Sequence, residues 1–111
     1  MLENYSKLYF YGFIILATIL EVGADILFKN WTLKNRNLLL FSGLALYFIG
    51  TVFWAISLKF ESISKSISIF TILNLIIIVL IGVFLFKEKL SILNIIGLIL
   101  GIISLILLDI D

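Results

Sequence analysis

Four apolar segments, each about 19–22 residues long and separated by short charged loops, constrain this chain more than any other feature. They run over residues 8–28, 37–58, 66–86 and 90–108. At 1.5 Å per residue, each makes about 28–33 Å of helix, against about 30 Å for a bilayer's hydrocarbon core. The second, third and fourth carry no charged residue. Transmembrane barrel strands alternate in polarity over about ten residues, so these continuous runs exclude a barrel. A water-soluble four-helix bundle needs a charged stripe on each helix, and three of the four have none. The expected fold is an all-α integral membrane protein with four transmembrane helices, a single domain over residues 1–111, embedded in the cell membrane throughout. The first apolar run is too long for a signal peptide's hydrophobic region and no small-residue cleavage site closes it, so it reads as retained.

Composition narrows the chemistry. Only 14% of the 111 residues are charged and the net charge is +1, which gives no basic field for nucleic acid. Cysteine and histidine are absent, which removes disulfides, thiolate and imidazole chemistry and the usual zinc sites. No activated nucleophile, metal cluster or phosphate-binding glycine loop is present. An enzyme is not expected, nor a cofactor or a metal. The expected partners are the lipid bilayer and whatever crosses it.

Within the first span the charged groups are Glu21 and, one turn later, Asp25. A carboxylate at membrane depth costs a few kcal/mol and marks a substrate or proton path in most cases where one is found. Glu21 lies about 10 Å from the end of its span, too deep for easy escape to the interface. Helical spacing sets Ala17, Glu21 and Asp25 on one face, with Thr18 and Ala24 adjoining, and these small neighbours leave room for a ligand. Asp25 has two readings. It stands four residues before Lys29, the spacing of an intrahelical ion pair, or it is a second anionic group in the same cavity. On the third segment Asn74 calls for a partner across helices, and Ser64, Ser68 and Thr71 recur on one face. Tyr47, Phe53, Trp54 and Phe70 are candidate aromatic walls for a cation.

Four short spans hardly enclose a cavity gated on both sides, and transporters build such pathways between two repeats, often inverted. No internal repeat is visible, so dimerisation is expected to supply the second half. Gly97, Gly101 and Ser104 in GLILGIIS form a small-residue stripe, the GxxxG spacing that brings helix backbones close. The stripe is the candidate dimer contact. An even number of spans puts Lys7, Lys59 and Lys65 on one face and Lys29, Lys34, Arg36, Lys87 and Lys89 on the other. The Lys/Arg excess faces the cytoplasm. A difference this small fits either one orientation, with the first and third loops cytoplasmic, or insertion in both.

The segment LEVGADILFK, residues 20–29, is similar to the first-helix motif of the small multidrug resistance family, within the drug/metabolite transporter superfamily. LFKEKLSILNIIGLILGIISLILL, residues 85–108, resembles that family's last loop and fourth helix. The resemblance covers nearly the whole chain. It implies an antiparallel homodimer that exports small cations in exchange for protons. Glu21 would be the shared proton and substrate site, and Tyr47 a cavity aromatic. Ala17, Thr18, Ala24 and Asp25 would be the glutamate's helix neighbours. The chain departs from the pattern on the third helix. An alanine-tyrosine-alanine-x-tryptophan run is replaced by Ser66, Ile67, Ser68, Ile69 and Phe70, and a glycine pair by Ile72 and Asn74. Two further readings stand beside the exporter: a flippase or carrier subunit for a lipid-linked or polar metabolite, and a membrane subunit that only supports a partner.

Overall fold

In a computed structural model, which describes residues 2–110, the chain forms four helices: α1 (Leu2–Lys34), α2 (Asn37–Ser57), α3 (Ile63–Leu85) and α4 (Ile92–Ile110). All four are long and apolar enough to cross a bilayer. The ends of the expected 1–111 domain, Met1 and Asp111, lie outside the described residues. Three helices follow their apolar segments closely. The first does not: α1 has 33 residues, about 50 Å at helical rise. It extends beyond both ends of the 8–28 segment, because a helix satisfies its own backbone groups and need not stop where its side chains become polar. The chain divides into two compact units, Met1–Ile63 and Ser64–Asp111, and each is described separately.

The first unit is an antiparallel hairpin of α1 and α2. Two residues make the turn. Asn35 takes a left-handed conformation (φ 58°) and donates its N–H to the Trp31 carbonyl at 2.7 Å. Asparagine is among the few side chains that adopt this region readily. Arg36 is extended, and its carbonyl accepts the Leu39 N–H at 3.0 Å.

The two helices meet along a seam of small residues. On α2 the buried positions are Gly43, Gly50 and Ser57, one every seven residues. On α1, Phe10, Ala17 and Ala24 repeat at the same interval and are buried, as are Ile14, Thr18, Glu21 and Val22. A seven-residue period keeps one face of each helix on its partner, and glycine at the contact lets the backbones approach. The approach is close. A Cβ built at Gly43 would lie 2.6 and 2.8 Å from Cε1 and Cδ1 of Phe28 and 3.3 Å from the Ala24 carbonyl oxygen. At the open end of the hairpin aromatic rings take over. Phe13 stacks on Phe53 (centroids 6.1 Å apart) and on Phe60 (5.9 Å), and Phe60 meets Tyr9 at 5.6 Å. Offset ring pairs of this kind add about 0.5–1.5 kcal/mol each beyond area burial.

In the second unit α3 and α4 are joined by the loop 86–91. The Gly82 carbonyl accepts two N–H donors, Phe86 at 3.2 Å and Glu88 at 3.0 Å, across Lys87 in the left-handed region (φ 55°). The start of α4 is held by a reciprocal cap. The Asn94 N–H donates to Ser91 Oγ and the Ser91 N–H to Asn94 Oδ1, both at 3.1 Å. Two of the donors that a helix start leaves open are satisfied in this way. Further along, Gly101 of α4 faces Ile72 of α3, where an added Cβ would find Ile72 Cγ2 at 3.8 Å. No residue of α4 is buried, as suits an apolar helix that meets lipid or another chain.

Candidate functional site

The site is built on α1, where a long helix carries a carboxylate into the helix seam. Glu21 is 6% exposed, and Ala17, Thr18 and Ala24 are buried beside it. Thr18 does not spend its hydroxyl on the glutamate: Oγ1 donates to the Ile14 carbonyl at 2.8 Å, one turn back along its own helix. This bond to the preceding turn is the usual way a hydroxyl is satisfied in an apolar helix. Thr18 therefore contributes a methyl-bearing wall.

Across the seam stands Gly50. A Cβ at this position would lie 3.1 Å from Glu21 Cγ, 3.2 Å from Leu20 Cβ and 3.3 Å from the Ala17 carbonyl oxygen. The glutamate stem thus passes over a notch in α2 made by a missing side chain. Side chains of a helix lean toward its N-terminus, which brings the Glu21 stem over the turn that holds Ala17. Neither Gly43 nor Gly50 was singled out by the sequence. The signal was present as small residues at 43, 50 and 57, but it gains meaning only when the antiparallel register sets Ala17 and Ala24 opposite.

Asp25 is half-buried one turn beyond Glu21. Lys29 is exposed. Tyr47 lies on α2 one turn before Gly50, and 47% of it is exposed. Phe53 and Trp54 are half-buried, with Phe53 engaged in the aromatic stack. The hairpin thus brings together Ala17, Thr18, Glu21 and Ala24, sets Asp25 at their edge, and leaves Tyr47 on the exposed side of α2.

The remaining candidates belong to the second unit. On α3, Ser66 and Phe70 are buried and Asn74 is half-buried. Ser68 donates its hydroxyl to the Ser64 carbonyl at 2.7 Å. On α4, Gly97 and Ser104 are exposed and Gly101 is half-buried. An open groove of about 490 Å³ lies between Leu75 and Val79 of α3 and Leu93 and Gly97 of α4, with Glu88 and Lys89 among its walls. Among the described residues no group of three acids suited to a metal ion forms.

What the arrangement can do chemically is limited and definite. A buried carboxyl group, flanked by alanines and a satisfied threonine, can hold a proton or a cation. Comparison with known proteins agrees at the level of the family. No curated protein and no solved structure matches the sequence. The model of the EamA-like transporters does, over residues 7–109, a range that spans all four apolar helices. The chain is a multi-pass integral membrane protein of the drug/metabolite transporter superfamily and belongs to the EamA-like transporter family.

Proposed function

We propose that the chain works as a proton-coupled exporter of small organic cations, quaternary ammonium or polyamine-like compounds among them. The observation that carries this reading is Glu21, a carboxylic acid buried among alanines in the middle of an apolar helix. The likeness of residues 20–29 and 85–108 to the small multidrug resistance pattern supports it. In this reading two chains pair as an antiparallel homodimer, and the Gly97, Gly101 and Ser104 stripe of α4 contributes the contact. The two Glu21 side chains share one cavity. Proton and cation compete for the same carboxylates, so a cation entering from one side displaces protons. Protons binding from the other side then displace the cation. Rocking of one protomer against the other alternates access. Ala17, Thr18 and Ala24 shape the cavity, and Tyr47, Phe70 and Asn74 line it. Asp25 adds a second negative charge for a cargo with more than one positive charge.

Competition fixes the pH behaviour. For each proton displaced, apparent cation affinity changes by up to about tenfold per pH unit and is greatest at high pH, where the carboxylate is free. The test is transport in proteoliposomes. Wild type should drive cation uptake with an imposed pH gradient, whereas Glu21→Gln, close to isosteric but unable to titrate, should show none. Coupled transport retained by Glu21→Gln would refute the proposal.

A second reading, a carrier or flippase subunit for a polar or lipid-linked metabolite, is favoured by the polar groups Ser66 and Asn74 on α3, where Ser66 is fully buried. Transport indifferent to the proton gradient, or dependent on a different partner chain, would select it.

A further inference from the structure

We infer that Gly50 is the positioning residue for Glu21: the absent side chain on α2 makes the notch that fixes where the Glu21 carboxylate is held. The inference rests on Glu21 being the exchanging acid, and it adds the element that aims that acid. Three atoms bound the notch, all on α1. Glu21 Cγ lies 3.1 Å from the Cβ that an alanine would carry, Leu20 Cβ 3.2 Å and the Ala17 carbonyl oxygen 3.3 Å. At these distances a neighbour has to give by a few tenths of an ångström, and the three differ in freedom. The carbonyl oxygen and Leu20 Cβ are fixed to the helix, whereas Glu21 Cγ turns about χ1. A methyl group at position 50 therefore turns the glutamate stem about χ1, by the few tenths of an ångström needed at Cγ, before it parts the helices. The carboxylate, at the far end of the stem, moves farther than Cγ does.

The same seam contains its own control. Gly43 stands one heptad earlier on α2 and is more crowded, but its would-be Cβ meets the Phe28 ring and the Ala24 carbonyl and does not touch Glu21. Gly43→Ala disturbs the packing of the hairpin as much as Gly50→Ala does and leaves the glutamate stem alone. Charges near Glu21 are few within its unit. On α1 the neighbouring acid is Asp25. The whole of α2 from Asn37 to Ser57 carries no charged side chain, and its titratable group at this level is Tyr47. Since neither glycine substitution alters any of these groups, a change in Glu21 titration reports the position of the carboxylate.

The experiment titrates proton release on addition of tetraphenylphosphonium, as the cation probe, to purified wild type, Gly50→Ala, Gly43→Ala and Glu21→Gln in lipid nanodiscs. The expected result is that Gly50→Ala displaces the pH midpoint of release by about half a unit or more, roughly threefold in proton affinity. Gly43→Ala should lower thermal stability and keep the wild-type midpoint. A wild-type midpoint in Gly50→Ala, or an equal displacement in Gly43→Ala, overturns the inference. PH-dependent release that persists in Glu21→Gln overturns the underlying reading of Glu21 instead, so the two failures are distinct. A readout in the unmodified chain covers the case in which Gly50→Ala does not fold. In bilayers, the carbon-13 shift of Gly50 Cα should titrate with the midpoint of the Glu21 carboxyl carbon. A Gly50 signal that stays flat through the Glu21 transition refutes the proposal.

Discussion

Replacing Gly43 by alanine sets a methyl group against the ring of Phe28, and the cost follows from the geometry. The new Cβ would sit 2.6 Å from Cε1 and 2.8 Å from Cδ1. To reach the 3.4 Å of ordinary van der Waals contact, the nearer ring atom has to retreat by about 0.8 Å. It cannot be accommodated by the other neighbour, because the Ala24 carbonyl oxygen at 3.3 Å belongs to the α1 backbone. Overpacking of this kind costs about 1–3 kcal/mol, set against up to about 1 kcal/mol that alanine returns over glycine in a helix interior. The net loss alone is too small to be diagnostic, so the informative quantity is the coupling with Phe28. In a Phe28→Ala background the clash is gone, and Gly43→Ala should be neutral or stabilising. A double-mutant cycle measured by reversible unfolding in mixed micelles should therefore give a coupling of about 1–3 kcal/mol. A coupling below about 0.5 kcal/mol, the level at which independent sites add, would show that α1 and α2 do not meet in this register.

Ser91→Ala removes the acceptor of the Asn94 N–H. It should cost about 1 kcal/mol, read as roughly fivefold faster hydrogen exchange at the Asn94 amide. Lys87→Gly relieves a left-handed side chain and should raise stability by about 0.5–1 kcal/mol in thermal unfolding, the strain relieved exceeding the entropy cost of glycine. Lys87→Ala, which keeps the strain, should not. Phe60→Leu keeps bulk but breaks the stacks on Phe13 and Tyr9, and a loss of about 1–3 kcal/mol should appear in the same unfolding assay.

Four membrane helices were legible because bilayer thickness leaves few options for four apolar runs of matching length. Glu21 was legible for a related reason, since an acid in hydrocarbon stands out from composition alone. The extra turns of α1 were not, because the apolar segment marks where a helix crosses lipid and says little about where its hydrogen bonding ends. The pairing of Gly43 and Gly50 with α1 escaped for a different reason. Attention to GxxxG spacing favours α4, whereas the tighter approach in this hairpin uses a seven-residue interval whose partner, Ala17 and Ala24, lies on another helix. Thr18 illustrates a third limit. Its type and place suggest a ligand contact, yet its hydroxyl is satisfied by Ile14, which only the backbone geometry reveals. The family match reaches over all four helices, while the proposed cargo rests on a few side chains such as Asp25, Phe70 and Asn74.

The central claim is that Glu21 exchanges protons for cations, and proton release on ligand addition tests it most directly. Purified protein in weakly buffered solution should acidify the medium when a quaternary ammonium compound or a polyamine is added, and the signal should vanish in Glu21→Gln. Cation binding without proton release in the wild type, or undiminished release from Glu21→Gln, would contradict the account.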